Sequence, residues 1–115
     1  MPHFHDSIKE LQKTNGEIRK LIPGVFDGFA RTNHAAYADG ALAGSTKQLM
    51  ALAVAMAEGC GGCIASHARG AARKGATPQE VAETIGVAIQ MKGGPGTVYG
   101  PIAWEAYHEF KERYG

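Results

Sequence analysis

Residues 47–75 read KQLMALAVAMAEGCGGCIASHARGAARKG, and the pattern of their apolar positions decides the architecture. The run LMALAVAMA, residues 49–57, is apolar on every face. It is rich in Ala, Leu and Met and nearly free of β-branched residues, so it favours helix over strand. A helix of this kind expects neighbours on all sides. Gly59 stops it. A second helix starts at or near Cys60, continues through IASHARGAARKG, and closes at Gly75. The only two cysteines of the chain, Cys60 and Cys63, therefore stand where one helix ends and the next begins.

The same periodicity extends outward in both directions. Ile8, Leu11, Ile18 and Leu21 space as one stripe of a first helix, with a weak point at Asn15-Gly16. Pro23 suits the first turn of a second segment, PGVFDGFARTNHAAYA, that ends near Asp39-Gly40. Ser45-Thr46-Lys47-Gln48 has the pattern of a capping box opening the apolar run, and Thr77-Pro78-Gln79-Glu80 has a second. The helix after Thr77 carries Val81, Ile85, Val87, Ala88 and Met91, and KGGPG breaks it. Thr97 is the expected cap of a last helix with Tyr99, Ala103, Tyr107 and Phe110 on one stripe. The expectation is an all-α fold, a single domain over residues 1–115 built as a bundle of about six helices. Five short helices barely surround the all-apolar one, which predicts a homo-oligomer.

Composition narrows the function. At 115 residues with a net charge of +1, the chain shows no charge excess that would favour nucleic acid or anionic lipid. No apolar run approaches the ~20 residues that span a bilayer. The opening MPHFHDSIKE is too polar for the apolar centre of a signal peptide, so a cytoplasmic location is expected. Cysteines there are kept reduced, and a close pair is more often catalytic or metal-binding than structural.

With Cys60 in the first turn of its helix, about 100° per residue puts Cys63 about 60° and His67 about 20° away around the axis. All three share one face. Residues three apart on a helix have Cα atoms ~5 to 5.5 Å apart, inside the range a disulfide accepts. The helix N-terminus stabilises a thiolate, and a neighbouring imidazole can activate it further. Gly61 and Gly62 leave the sulfurs uncovered. Oxidation of Cys63 to a sulfenic acid would leave Cys60 placed to resolve it as a disulfide. In that reading the second cysteine attacks, because only the second has the base. Zinc bound by Cys60, Cys63 and His67 with His34 or Glu58 is a rival, although three ligands on one helical turn make poor tetrahedral geometry. A structural pair of small buried cysteines beside a core histidine is another. A thioredoxin-type site lacks its preceding strand, and covalent haem would need histidine where Ile64 stands.

The segment from Lys47 to Pro95, with C-x-x-C-x-x-x-H followed by GATPQEVAE, resembles the carboxymuconolactone decarboxylase-like superfamily and, within it, the alkylhydroperoxidase D-like branch. The resemblance extends over residues ~20 to 110. It implies an all-helical oligomer, a trimer or hexamer, with thiol-dependent peroxidase activity cycling between dithiol and disulfide. It also implies a hydroperoxide substrate and a dithiol reductant, lipoyl-type or thioredoxin-like, with no metal or organic cofactor required. The near-neutral charge and the lack of a long apolar run add the expectation of no nucleic-acid and no membrane partner. Carried over by position, Cys63 is peroxidatic, Cys60 resolving and His67 part of a proton relay. The family's relay usually includes a glutamate twelve residues before the first cysteine, where this chain has Gln48. Glutamine takes no proton but can orient an imidazole. Glu58 is the candidate replacement carboxylate. The alternatives are a carboxymuconolactone decarboxylase-type lyase, whose chemistry has no use for a dithiol, or a non-peroxidatic redox-sensing or metal-binding oligomer.

The remaining candidates carry less. His34, beside Asn33 and Tyr37, reads as a satisfied polar contact. His108 and Glu109 read as a solvated face, and His3 and His5 as a mobile terminus. Trp104 reads as packing against the core or another subunit.

Overall fold

Glycine and proline punctuate the chain much as the pattern predicts. The computed structural model describes residues 4–114, and these form six helices: α1 (Phe4–Arg19), α2 (Pro23–Tyr37), α3 (Gly44–Glu58), α4 (Gly61–Arg73), α5 (Pro78–Lys92) and α6 (Gly94–Tyr114). Pro23 opens α2. Gly59 ends α3 in the left-handed region, at φ 70°, where a side chain would be strained. Thr77 and Glu80 form the complete capping box of α5, the Thr77 hydroxyl accepting from Glu80 N–H and the Glu80 carboxylate from Thr77 N–H.

The core is built on α3, α4 and α6. Leu52 and Met56 of α3, Ile64 and Ala68 of α4, Val81 of α5, and Ala103, Tyr107 and Phe110 of α6 are all buried. The buried face of α4 is mostly alanine, at 65, 68, 71 and 72, so large side chains of its neighbours can fill the space above it. The buried Tyr107 hydroxyl donates to the Ala76 carbonyl, tying α6 to the turn between α4 and α5.

Several local expectations are overturned. The capping box at Ser45 does not form, because α3 starts at Gly44 with Ala43 as its cap and no side-chain cap bond. The Asp39 carboxylate instead accepts from Gly44 N–H at 2.6 Å, and this leaves Gln48 free to reach a different helix. Thr97 does not cap α6 either. The helix begins three residues earlier, and the Thr97 hydroxyl donates back to the Gly94 carbonyl. Asn15-Gly16 lies inside an unbroken α1.

Of the α1 stripe only Ile8 is buried, while Leu11 is half-exposed and Leu21 lies beyond the helix. His5 is in α1 and half-buried, its ring meeting the edge of Phe110. The Glu109 carboxylate accepts from His5 N–H at 2.8 Å and Phe4 N–H at 3.3 Å, so it caps the start of α1. His108 is half-buried against Trp104 and Tyr107. His108 and Glu109 thus remain partly open to solvent while also making these contacts; His3 falls outside the described residues.

The apolar helix α3 is not enclosed within one chain. Leu52, Ala55 and Met56 face the core, while Met50 is 53% and Val54 61% exposed. On α2 no residue is buried, and Val25 and Phe29 are each 65% exposed. Among the described residues, no helix is long and apolar enough to cross a membrane.

Candidate active site

Gly59 ends α3 and α4 starts two residues later, so Cys60 becomes the residue that caps α4. Its backbone is extended (φ −92°, ψ 99°), and its Sγ accepts from Cys63 N–H at 3.2 Å. The sulfur thus meets the positive end of the helix at an otherwise unpaired N–H group, which favours negative charge on it. Cys60 and Cys63 are joined as a disulfide with Cα atoms 5.2 Å apart, the separation expected for residues three apart on one helical face. Cys63 is exposed and Cys60 half-buried.

One turn further along α4, His67 accompanies the pair. Tyr37, Val54, Glu58, Cys60, Cys63 and His67 line one cavity of about 300 Å³. The Tyr37 ring, from the end of α2, packs on the imidazole with centroids 5.6 Å apart. Burial pushes the His67 pKa below its usual value, since desolvation disfavours the charged ring. The imidazole is therefore neutral at physiological pH and able to accept a proton.

Its orientation comes from α3. Gln48 Oε1 lies 2.9 Å from His67 Nδ1. An amide oxygen only accepts, so Nδ1 carries the proton and Nε2 keeps its lone pair free. The amide reaches this position because residue 70 has no side chain. A Cβ built on Gly70 would overlap the Oε1, Cδ and Nε2 atoms of Gln48.

Cys60, Cys63, His67, Gln48 and Glu58 are thus brought together as the sequence predicts, with different contacts. Gln48 bonds directly to the imidazole. Glu58 borders the cavity from the end of α3 and is exposed; among the described residues it makes no hydrogen bond to His67. His34 does not join this cavity, and it makes no polar contact among the described residues, contrary to the expectation. Among the described residues, no group of three or more His, Cys, Asp or Glu side chains is arranged to hold a metal ion.

Sequence reasoning missed Tyr37 and Gly70. Tyr37 gave no signal beyond its neighbourhood to His34. Gly70 had one: an isolated glycine inside a helical pattern marks a weak helix or a close approach. Here it is the approach of Gln48.

Comparison with known proteins gives a consistent picture. The model of the carboxymuconolactone decarboxylase family matches residues 23–106. An uncharacterized protein of Cupriavidus necator is 34% identical over 92 residues, covering 80% of this chain and 81% of that one. Uncharacterized protein 4 in the cox locus of Paracoccus denitrificans is 42% identical over 88 residues, covering 76% and 79%. The crystal structure of an apo carboxymuconolactone decarboxylase family protein from Legionella pneumophila superposes with a TM-score of 0.92 at 38% identity, covering 96% of this chain and 99% of that one. With a family model spanning most of the chain and a close structural relative, the chain belongs to the carboxymuconolactone decarboxylase family.

Proposed function

We propose that this member of the family is a thiol-dependent peroxidase that reduces hydroperoxides through its cysteine pair. The observation that carries the reading is the pairing of Cys60 and Cys63 at the N-terminus of α4, beside a neutral imidazole whose Nδ1 proton is held by Gln48. Such a site generates a thiolate and handles the protons that peroxide reduction moves.

In the reduced enzyme His67 Nε2 accepts the Cys63 thiol proton. The thiolate attacks the outer oxygen of the hydroperoxide and the O–O bond breaks. Cys63 becomes a sulfenic acid, and the departing alkoxide takes the proton from His67 to leave as alcohol. The Cys60 thiolate, stabilised by Cys63 N–H and the helix end, then attacks the Cys63 sulfur. Hydroxide leaves with a proton as water, and the disulfide closes. A dithiol reductant, lipoyl-type or thioredoxin-like, returns two electrons and two protons by exchange. Attack at the exposed Cys63 sulfur suits this step, because the capped Cys60 is the better leaving thiolate. Such a reductant belongs to a reducing compartment, the cytoplasm.

The exposed faces of α2 (Val25 and Phe29) and α3 (Met50 and Val54) support assembly of several copies, as a trimer or hexamer. Because α2 also supplies Tyr37, assembly would stiffen the wall of the active site.

The test is steady-state consumption of an organic hydroperoxide with dihydrolipoamide as reductant. Turnover by the wild type that is lost in Cys63→Ser supports the reading. Consumption no faster than that by an unstructured cysteine peptide overturns it.

A further inference from the structure

A second cavity, of about 320 Å³, borders the first and shares Tyr37 and His67 with it. Its distinguishing feature is charge. Arg69 and Arg73, one turn apart on α4, and Lys74 at the end of that helix all line it, and no Asp or Glu does. Arg69 is half-buried, and its pKa is lowered first by burial and then by repulsion from Arg73. Neither arginine nor Lys74 forms an ion pair among the described residues. The Arg73 guanidinium lies over the Tyr114 ring, 5.1 Å from its centroid, which holds it in place without neutralising it. Asp39 approaches Gly44 as Lys74 does, and its carboxylate, which accepts from Gly44 N–H, offsets part of the Lys74 charge; no carboxylate lines the cavity beside Arg69 or Arg73.

Part of this charge suits the C-terminal end of α4, where cations meet the negative end of the helix. That accounts for Arg73 and Lys74 on a surface. It does not account for a half-buried Arg69 turned into a hollow beside a second arginine, where two like charges destabilise each other. An anion in the hollow would remove the repulsion, and the planar guanidinium fork suits a carboxylate in particular. A concave site lined by one sign of charge also raises the local concentration of the opposite charge.

We infer that this cavity is a carboxylate-binding subsite, and that the preferred substrate is an organic hydroperoxide carrying a carboxylate. The acid group sits against Arg69, Arg73 and Lys74, while the peroxide reaches Cys63 past the Tyr37–His67 wall. The substrate assignment rests on the peroxidase reading; the anion site does not.

Two measurements separate them. First, octanoate and its neutral amide are titrated into the Cys63→Ser protein, which cannot turn over, and the His67 ring resonances are followed by NMR. Octanoate should perturb them saturably, octanamide should not, and Arg69→Gln should weaken octanoate binding at least tenfold. Second, kcat/KM is compared for a hydroperoxy fatty acid and its methyl ester with one reductant. The acid-to-ester ratio should exceed ten in the wild type and fall at least tenfold in Arg69→Gln and in Arg73→Gln. An acid-to-ester ratio near one would overturn the substrate assignment, and octanoate binding indifferent to Arg69, or dissociation of an oligomer by Arg69→Gln, would overturn the anion site. The last outcome would assign the cations to a subunit contact. Arg69-dependent octanoate binding without turnover of either peroxide would overturn the substrate assignment and the peroxidase reading together, and leave the anion site standing.

Discussion

Gln48 Oε1 on α3 accepts from His67 Nδ1–H on α4 at 2.9 Å, and the amide reaches the ring over the bare backbone of Gly70. That contact fixes which imidazole nitrogen is basic. It also joins the two helices that frame the disulfide.

Gly70→Ala therefore separates activity from stability. Alanine is the better helix former, by about 1 kcal/mol, so the helix itself is not weakened. The added methyl, however, displaces the Gln48 amide and frees the ring. Peroxide-driven disulfide formation should slow about tenfold, part of the ~10²–10⁴ that a positioned acid–base group supplies. Nitrogen chemical shifts of His67 should show loss of the single tautomer. Wild-type rates with an unchanged tautomer would show that Gln48 does not orient the ring.

The pH dependence follows from burial of His67. Its pKa is lowered, so the neutral, proton-accepting form persists to below pH 6.5, and the acid limb of kcat/KM should fall on the acid side of that value. Gln48→Glu places a carboxylate against Nδ1, which favours the protonated ring and should move the limb upward by about one pH unit. A limb at the same pH in both proteins would remove His67 from the rate equation.

Tyr107→Phe tests the core. The substitution keeps the buried ring but leaves the Ala76 carbonyl without its donor. The expected loss is about 1–3 kcal/mol, read as a fall in Tm of roughly 4–8 °C for each kcal/mol. An unchanged Tm would show that solvent replaces the hydroxyl.

Much of the fold is legible in the sequence, because it rests on local chemistry. Gly59, Pro23 and the Thr77 box act through their own backbone conformations, and they end or begin helices where they stand. The Cys60–Cys63–His67 face is legible for the same reason, since helix geometry brings Cys63 and His67 to one face and the cap position puts Cys60 beside them. What fails depends on partners distant in the chain. Ser45 loses its capping role because Asp39 bonds Gly44 first. Glu109 reads as solvent-facing until α1 arrives to be capped by it. Tyr37 reaches His67 from thirty residues upstream. Met50 and Val54 show the converse: the pattern marks them as apolar but does not say that they remain uncovered within one chain.

The central claim is that peroxide closes the Cys60–Cys63 disulfide through Cys63, with His67 as base. It is tested most directly by the intact mass of the fully reduced protein before and after brief exposure to one equivalent of an organic hydroperoxide. Rapid loss of two hydrogens is expected, absent in Cys63→Ser and much slower in His67→Ala. A mass that stays constant, or a disulfide that forms no faster than peroxide oxidises a free thiol, would contradict that claim.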